Sequence, residues 1–451
     1  MSSTEELLAL ARGALEAAKP GEAVEAYAAW GRETEVKVYE GEVESLTSAE
    51  SSGVGVRVIV EGRLGYAYAA DPDRAELAEL VQRARTNAAL AAPDEGNVLP
   101  EPRPIPPLEG ILLPELLDAS TEDKVRLAME IERACRAADA RVTGVETSQY
   151  GEGIGRAAIA STAGVEAAGE RGDCWAVGVA LAGANGETQT GFGLRIGRRP
   201  GDLDVDGAGR EAAQRAVVML GAHKPKTERM AVLLDPISAA SFLGVVVAGL
   251  TAEAVLKGRS LFADKMGEPV ASDVVRLVDD GRALEGPGAE PFDGEGVPTG
   301  RTSLIEAGVL NAFLHNTYTA TRMGATSTGN ARRGGFKSTP GVAPTNLILE
   351  PGTETPDELY AKAGRALLVH ELIGVHSGAN PISGDFSVGA TGVLIEGGVA
   401  GAPVREVTIA SNVLEILRGI VAVGNDIRYL PFGGSIGTPT ILIGEMTVAG
   451  T

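Results

Sequence analysis

The chain has 451 residues, which is more than one ordinary hydrophobic core accommodates and predicts two domains. Its formal net charge of −21 at pH 7 argues against direct nucleic-acid binding, since only short basic runs at 197–202 and 331–337 oppose it. Hydrophobic residues make up 44% of the chain, aromatic residues 4%, and there are 60 glycines, a balance typical of a folded protein with many turns and short strands.

The sequence offers no feature of secretion or membrane insertion. Residues 1–22 are acidic and amphipathic, whereas a signal peptide begins with a basic region followed by an apolar run. The most apolar window, 239–256, is interrupted by glycines and contains Glu253, so no membrane span is predicted. Cys135 and Cys174 are expected to be buried thiols rather than a disulfide. We therefore expect a cytoplasmic protein.

The first part of the chain alternates helical and strand patterns. Apolar residues recur at helical spacing over 4–18, and the runs "AVEAYAAW", "ETEVKVYEG", "VGVRVIVEG" and "LGYAYA" then predict an antiparallel meander. A helix follows, with Asp71 expected as its N-cap before Pro72. Seven prolines in 93–114 exclude regular structure there and predict an extended connector.

A second helix-and-strand block completes the first predicted domain. Ser120 opens a capping pattern toward Asp123 at the start of a helix, more strands follow, and a last helix is predicted over 206–221. The segment "HKPKTE" after it is the predicted boundary. We therefore divide the chain into an N-terminal α+β domain, residues 1–225, which contains the connector, and a β-rich C-terminal domain, residues 226–451.

The second part is dominated by hairpin patterns. A strand precedes a predicted apolar helix over 236–256, and hairpin turns are expected at Ala307–Gly308 and Gly397–Gly398. Thr355 is expected to cap a helix whose first residue is Pro356. The predicted fold class is α+β, with two domains that each contain large antiparallel sheets flanked by a few helices.

The stretch "HELIGVH" invites a zinc-site interpretation through His370, Glu371 and His376. Two zinc-binding histidines four residues apart on a helix lie close together, but six residues splay them by about 120°. On a strand, six residues place them on one face but roughly 20 Å apart. The spacing therefore favours two polar residues at a strand end and a loop, and we predict no metal site here.

Longer motifs identify a family. The segment "SGANPISGDFSVGATGVLIEGGVAGAPVREVTIASN" at 377–412, the segment "FDGEGVPTG" at 292–300 and the terminal "PTILIGEMTVAG" resemble the TldD/PmbA family, also called the modulator of DNA gyrase family. The resemblance covers nearly the whole chain. It implies a metallopeptidase family member, and the family name does not by itself imply DNA binding.

The resemblance also implies a branch within the family. TldD-like members carry an H-E-x-x-x-H zinc motif and a further cysteine ligand near the C-terminus, whereas TldE (PmbA)-like members lack both and pair with a TldD-like subunit. Here the corresponding residues are "LGVVVA", with Leu243, Gly244 and Ala248 at the ligand positions. The expectation is a TldE-like subunit without its own cofactor, whose partner holds zinc and whose complex acts on unfolded or short peptides.

Site residues are expected only for peptide holding, with no catalytic residue and no metal ligand in this chain. Asn330, Arg332 and Arg333 lie in a glycine-flanked polar loop that the resemblance sets near the cleft, and Asp385 lies in a turn-like Ser-Gly-Asp run. Two other interpretations remain open: a self-sufficient metallopeptidase using His370, Glu371 and His376, and a homodimeric peptide-binding protein.

Overall fold

The computed structural model describes residues 3–432 and 434–450, and these residues form the expected α+β fold. The helices are α1 (Thr4–Leu15), α2 (Arg74–Leu90), α3 (Pro114–Leu117), α4 (Thr121–Ala138), α5 (Val205–Val218), α6 (Pro236–Gly249), α7 (Ala252–Leu256), α8 (Thr317–Met323), α9 (Pro356–Ala363), α10 (Val375–Gly378) and α11 (Val413–Arg418).

Strands of the N-terminal half are β1 (Ala23–Tyr39), β2 (Glu42–Val60), β3 (Arg63–Ala70), β4 (Val142–Ser161), β5 (Glu166–Ala184) and β6 (Glu187–Gly197). Those of the C-terminal half are β7 (Glu228–Leu234), β8 (Leu277–Asp280), β9 (Arg301–Glu306), β10 (Val309–Leu310), β11 (Ala331–Arg332), β12 (Gly341–Val342), β13 (Asn346–Leu349), β14 (Arg365–Ile373), β15 (Asp385–Glu396), β16 (Val399–Asn412), β17 (Ile420–Val423), β18 (Arg428–Leu430), β19 (Ser435–Thr438) and β20 (Ile441–Ala449).

The first six strands form one antiparallel sheet in the order β3-β2-β1-β4-β5-β6. Strand alternation sends every second residue of β1 to one face, where Val24, Ala26 and Ala28 are buried against the helices. The opposite face of β5 and β6 packs Trp175 and Phe192 against the core of the C-terminal half. This sheet therefore belongs to two cores, one on each face.

Two further sheets build the C-terminal half, in the orders β10-β9-β8-β13-β19-β18 and β16-β15-β14-β7-β20-β17, and a ribbon pairs β11 with β12. Most pairs are antiparallel, but β13 with β19 and β7 with β14 are parallel. Helix α6 contacts strands of both large sheets and is apolar nearly all round, as expected for a helix buried between layers.

Local signals in the sequence give the correct ends of several elements. Ser120 accepts a hydrogen bond from the Asp123 backbone N–H at the start of α4, and Thr355 caps α9 with Pro356 at its first turn. At the two hairpin turns, Ala307–Gly308 and Gly397–Gly398, all four residues have positive φ, which matches the twist of the flanking strands.

Two local expectations are wrong. Asp73, not Asp71, caps α2, because Asp71 has φ of +41° and lies in the turn that leaves the sheet. The apolar segment 236–256 is two helices rather than one. Helix α6 ends at Gly249, and the Thr251 side chain caps the start of α7. The predicted division at residue 225 falls between α5 and β7 and stays a prediction.

Three further expectations from the sequence concern the proline-rich connector, the two cysteines and membrane spans. The connector carries no helix or strand from residue 93 to 113, as expected from its prolines. Cys135 and Cys174 are free and buried. In the part of the chain that the structure describes, no helix combines the length and the low polarity needed to cross a membrane.

The packing of α5 on β6 tests how tightly the layers fit. A Cβ at Gly191 would stand 2.2 Å from both the Ala212 carbonyl oxygen and the Ala216 backbone nitrogen, so helix and strand meet at a distance that only glycine permits. We predict that Gly191→Ala lowers the free energy of unfolding by about 1–3 kcal/mol, measured by urea denaturation. Gly201→Ala, at a position with no neighbouring atom within 4 Å, is the control and leaves the midpoint unchanged.

Candidate functional site

A cavity of about 630 Å³ lies between the first sheet and two loops of the C-terminal half. Its floor is formed by β1, β4 and β5, and the outer strand β2 contributes residues 49–51 at one side. The wall consists of the segments 290–294 and 331–336. The cavity is therefore built from both halves of the chain.

The floor contains several small residues, among them Gly31, Gly153 and Gly155, beside larger ones such as Tyr27 and Arg171. A Cβ at Gly31 would find only one atom within 4 Å, at 3.7 Å, and a Cβ at Gly153 would find its nearest atom at 3.9 Å. These glycines are not squeezed by a packed neighbour, in contrast to Gly191. Their effect is to leave room above the strands, where a ligand backbone could approach closely.

Four buried charges join the two halves beside this cavity, and we call Glu25, Arg57, Glu295 and Arg333 the charge cluster. Arg57 Nη2 donates to Glu25 Oε2 and to Glu295 Oε1, each at 2.7 Å, and Arg333 pairs with Glu25 Oε1. The side chains are at most 5% exposed. Glu25 and Arg57 come from directly opposed positions of β1 and β2, whereas Glu295 and Arg333 come from the C-terminal half.

Two members of the cluster, Glu25 and Arg57, are held in their charged forms by their partners. Burial acts to raise the pKa of Glu25, but the charges of Arg57 and Arg333 outweigh it and hold that pKa below its usual value. Burial likewise acts to lower the pKa of Arg57, and Glu25 and Glu295 reverse the effect. The charges of Glu25 and Arg57 are therefore stabilised by their partners rather than by water.

Arg332 and Arg333, two of the predicted peptide-cleft residues, line the cavity. Arg332 pairs with Glu290, whose charge raises the arginine pKa. Arg333 also donates to the Gly294 carbonyl oxygen at 2.6 Å, and its guanidinium lies 4.9 Å from the ring centroid of Tyr27. Much of the hydrogen-bonding capacity of Arg333 is thus used within the protein, since it also donates to the Ser338 carbonyl oxygen at 3.0 Å.

The other two predicted residues lie elsewhere. Asn330 is buried behind the wall, where its Nδ2 donates to Asp279 Oδ2 at 2.6 Å and to the Ala343 carbonyl oxygen at 3.3 Å. Asp385 is exposed at the start of β15, in another sheet, and accepts a hydrogen bond from Ser383 Oγ at 2.7 Å. The structure thus brings Arg332 and Arg333 to the cavity and sets Asn330 and Asp385 outside its lining.

Two buried carboxylates support the wall from within. Asp293 accepts hydrogen bonds from the backbone N–H groups of Glu295, Val297 and Ala331, and so fixes one wall segment to the other. Burial, followed by the nearby Glu295 charge, raises the pKa of Asp293. Asp279 is equally buried, and burial raises its pKa to about 6 although Asn330 and Thr345 donate hydrogen bonds to it.

Glu25, Arg57, Glu295 and Asp293 were not among the residues predicted from the sequence. A signal existed for the first two, since each is a single charge inside an otherwise apolar strand run, "AVEAYAAW" and "VGVRVIV". Such a charge is buried only when it is paired, so an unexplained charge in a core strand indicates a partner. Asp293 and Glu295 lie in a loop, where a charged residue is ordinary, so the sequence gives no comparable indication that they are buried.

The residues of the possible metal motifs lie apart from the cavity. In "HELIGVH", His370 Nδ1 lies 3.4 Å from Asp235 Oδ2, the cap of α6, while Glu371 and His376 are exposed. On α6, Leu243 is buried in the core and Ala248 is exposed. Within residues 3–432 and 434–450, no three His, Cys, Asp or Glu side chains form a group that could hold a metal ion.

Comparison with known protein families gives the class to which this fold and site belong. Family models described as "PmbA/TldA metallopeptidase domain 1", "central domain" and "C-terminal domain" match residues 24–88, 114–220 and 227–450. The chain therefore belongs to the TldD/PmbA family of metallopeptidases, and the resemblance drawn from its motifs is confirmed.

Individual relatives come from both branches of this family. "Metalloprotease PmbA" of Escherichia coli O157:H7 is 28% identical over 428 residues, which cover 91% of this chain and 88% of that protein. "Metalloprotease TldD homolog" of Haemophilus influenzae is 29% identical over 436 residues, covering 88% and 87%. The crystal structure of TldE from Thermococcus kodakarensis has a TM-score of 0.87 at 25% identity and covers 99% of this chain and 100% of that one.

The charge cluster predicts a large effect of removing one charge. Arg57→Met leaves Glu295 buried without its arginine and leaves Glu25 with Arg333 alone. We expect a loss of about 3–5 kcal/mol in the free energy of unfolding. Arg57→Met combined with Glu295→Gln should recover part of that loss, because Glu25 keeps Arg333. Arg74→Met, which breaks the exposed pair with Glu16, is the control and should have little effect. Equal effects of Arg57→Met and Arg74→Met would contradict the cluster's role.

Asp279 predicts a pH dependence with a defined sign. Its pKa of about 6 in the folded protein lies above the value near 3.9 of an unfolded aspartate, so the folded state retains a proton that the unfolded state has lost. The contribution of Asp279 to the free energy of unfolding is therefore complete below about pH 4 and is lost as the pH rises through about 6. It amounts to roughly 2–3 kcal/mol. The free energy of unfolding of the wild type minus that of Asp279→Asn should fall over this range. A difference that rises with pH would contradict it.

Proposed function

We propose that the chain is a TldE/PmbA-like subunit of a TldD/TldE-type zinc metallopeptidase, in which a TldD-like partner supplies the zinc and this chain supplies none of its ligands. Its work is to complete a closed chamber and to hold unfolded or short peptides for cleavage by the partner. The proposed compartment is the cytoplasm, where buried free thiols such as Cys135 and Cys174 persist.

The observation that carries this proposal is the chemistry of α6 at residues 243–248. A catalytic zinc site requires about three nitrogen, oxygen or sulfur ligands and an open position. Leu243 and Ala248 have only hydrocarbon side chains, and Gly244 has none. The Leu243 side chain is 1% exposed and packs in the hydrophobic core.

Overall similarity does not separate the two branches of the family. The chain is 28% identical to a PmbA protein, 29% identical to a TldD homologue and 25% identical to a TldE of known structure. These values are too close to rank one branch above the other. The assignment to the TldE-like branch therefore rests on the residues of α6.

A peptide-holding role is supported by the shape and lining of the cavity. Its volume of about 630 Å³ is in the range of ordinary ligand sites, which run from about 300 to 1,000 Å³. The small residues of the floor leave space for a main chain, and the lining as a whole presents both acidic and basic side chains, including Glu290 and Arg171. Such a lining suits a ligand with backbone polarity better than a purely apolar molecule.

The zinc content of the untagged, purified chain tests the proposal. We expect far less than one zinc per chain before and after mild chelation, and the same low value for His376→Ala. Mixing with a TldD-like subunit from the same genome should give a heteromeric complex with about one zinc per pair of subunits and with peptidase activity.

Two outcomes would favour the other interpretations. About one tightly held zinc per isolated chain, lost in His376→Ala, would indicate a self-sufficient metallopeptidase based on His370, Glu371 and His376. A stable homodimer that binds peptides and does not associate with the TldD-like subunit would indicate a free-standing peptide-binding protein.

A further inference from the structure

Strand β2 is longer than the strand beside it. It runs from Glu42 to Val60, but β3 pairs only with residues 53–60. On the outer side of residues 42–52, the described part of the chain places no strand, although β1 pairs with the inner side along this length. The sheet therefore ends in an open edge, which we call the β2 edge and define as residues 42–52.

The β2 edge is open because β3 stops abruptly. The Asp71 backbone N–H makes a last hydrogen bond to the Ser52 carbonyl oxygen at 3.4 Å, and Asp71 then turns the chain away with φ of +41°. Pro72 follows and has no N–H to continue the ladder. From Asp73 onward the chain enters α2. Local sequence thus ends the pairing where the edge begins.

The Ser52 hydrogen bond also defines which backbone groups face outward. In an antiparallel strand, the N–H and C=O groups of every second residue point to the same side. Counting back from Ser52, those of Glu50, Ser48 and Leu46 point away from β1. The single register shift between β1 and β2 lies beyond this stretch, at Lys37–Val38, opposite Ser45 and Val43. The three residues therefore present a regular row of donors and acceptors.

The side chains of the β2 edge are exposed and acidic. Val43 is 44% exposed and Leu46 46%. Their partners on β1, Val38 and Val36, are two residues apart, so both side chains offer apolar surface on the same face of the sheet. Residues 42–52 contain Glu42, Glu44 and Glu50 and no lysine or arginine. On β1, Arg32 lies directly opposite Glu50 and Lys37 lies opposite Ser45, whereas Glu42 lies opposite Tyr39.

We infer that the β2 edge binds an extended peptide that contains lysine or arginine, as an added strand of the sheet. The row of backbone groups supplies sequence-independent hydrogen bonds, and the glutamates, above all Glu42 and Glu44, supply the preference for cationic side chains. Because Ala49, Glu50 and Ser51 also line the cavity, one end of the bound peptide enters it. This inference rests on the proposed peptide-holding function and specifies its ligand.

A second copy of the chain fits the β2 edge less well. Pairing two such edges would bring three glutamates of one copy beside three of the other without an intervening base, and like charges on facing strands are destabilising. A cationic peptide removes this repulsion. The charge of the edge therefore favours a peptide over self-association.

Binding is tested with the full-length chain and a fluorescein-labelled hexapeptide of alternating lysine and valine, followed by fluorescence anisotropy. Two comparison peptides carry glutamate in place of lysine, or N-methyl groups at alternate backbone nitrogens. We expect each to bind at least tenfold more weakly than the lysine peptide. Because the N-methylated peptide probes backbone pairing on the wild-type protein, this result does not depend on a variant's folding.

Two protein variants locate the site. Ser48→Pro removes an outward N–H at an edge position where proline is tolerated, and should weaken lysine-peptide binding at least tenfold. Ser48→Ala keeps the backbone, loses only the 3.3 Å contact between the Ser48 and Thr34 hydroxyls, and should stay within twofold. Circular dichroism and thermal unfolding establish that both variants fold.

The outcomes that would contradict this inference are distinct from those of the zinc test. Tight binding that is unaffected by N-methylation and by Ser48→Pro would show that the peptide binds elsewhere. Absence of binding would show that the β2 edge does not bind a lysine-containing peptide. Either result overturns the inference, whereas the zinc content and the activity with the partner decide the proposed function. Loss of assembly with the TldD-like subunit in Ser48→Pro, with peptide binding retained, would make the β2 edge a subunit contact and would overturn it as well.

Discussion

The burial of the charge cluster is the constraint on which the arrangement of the two halves depends. Removing charges from water is costly, and their mutual attraction offsets this cost only when the geometry is good and each charge has its partner. In this chain, Glu25 and Arg57 supply one part from the sheet, and Glu295 and Arg333 supply the other from the wall. A displacement of the halves by a few ångströms would leave charges buried and unpaired. The cluster therefore specifies one relative position.

The cavity follows from that position. Glu295 and Arg333 flank or lie within the two wall segments, so the cluster sets the height of the wall above the sheet. Asp293 then links the wall segments by accepting the Ala331 N–H at 3.0 Å. Phe336 completes the contact on β2, where a Cβ at Gly53 would stand 2.4 Å from its ring and only glycine leaves space for it. Empty space above the floor is thus held open by charge pairing and by close packing at its rim.

The sequence predicts the local structure well and the long-range contacts poorly, for physical reasons. Caps such as Ser120 and Thr355 and the turns at Ala307 and Gly397 depend on a few neighbouring residues, and the structure confirms them. The sequence does not distinguish Asp71 from Asp73, because both offer a carboxylate near the start of α2 and only the backbone dihedral angle separates them. The end of α6 at Gly249 depends on packing, which an apolar run in the sequence does not reveal.

The candidate site illustrates the same limit. Arg57 and Glu295 are 238 residues apart in the chain, so no local pattern relates them. The family resemblance predicts that Arg332 and Arg333 lie near the cleft, but their pairing with Glu290 and Glu25 follows only from the fold. Asn330, taken from the same loop, is turned inward toward Asp279. Proximity in sequence therefore identifies the loop and does not identify which side chains face the cavity.

Strand β2 links the charge cluster, the Phe336 loop and the β2 edge. Arg57 fixes one part of it in the charge cluster, Gly53 and Gly55 accept the Phe336 loop, and residues 42–52 continue outward as the open edge. A strand is stiff along its own length because its ladder hydrogen bonds to β1 run without interruption from Ser45 to Ile59. A ligand paired along the β2 edge would consequently be held in a fixed register relative to the cavity wall. The buried charges would then determine where a peptide paired along the β2 edge meets the cavity.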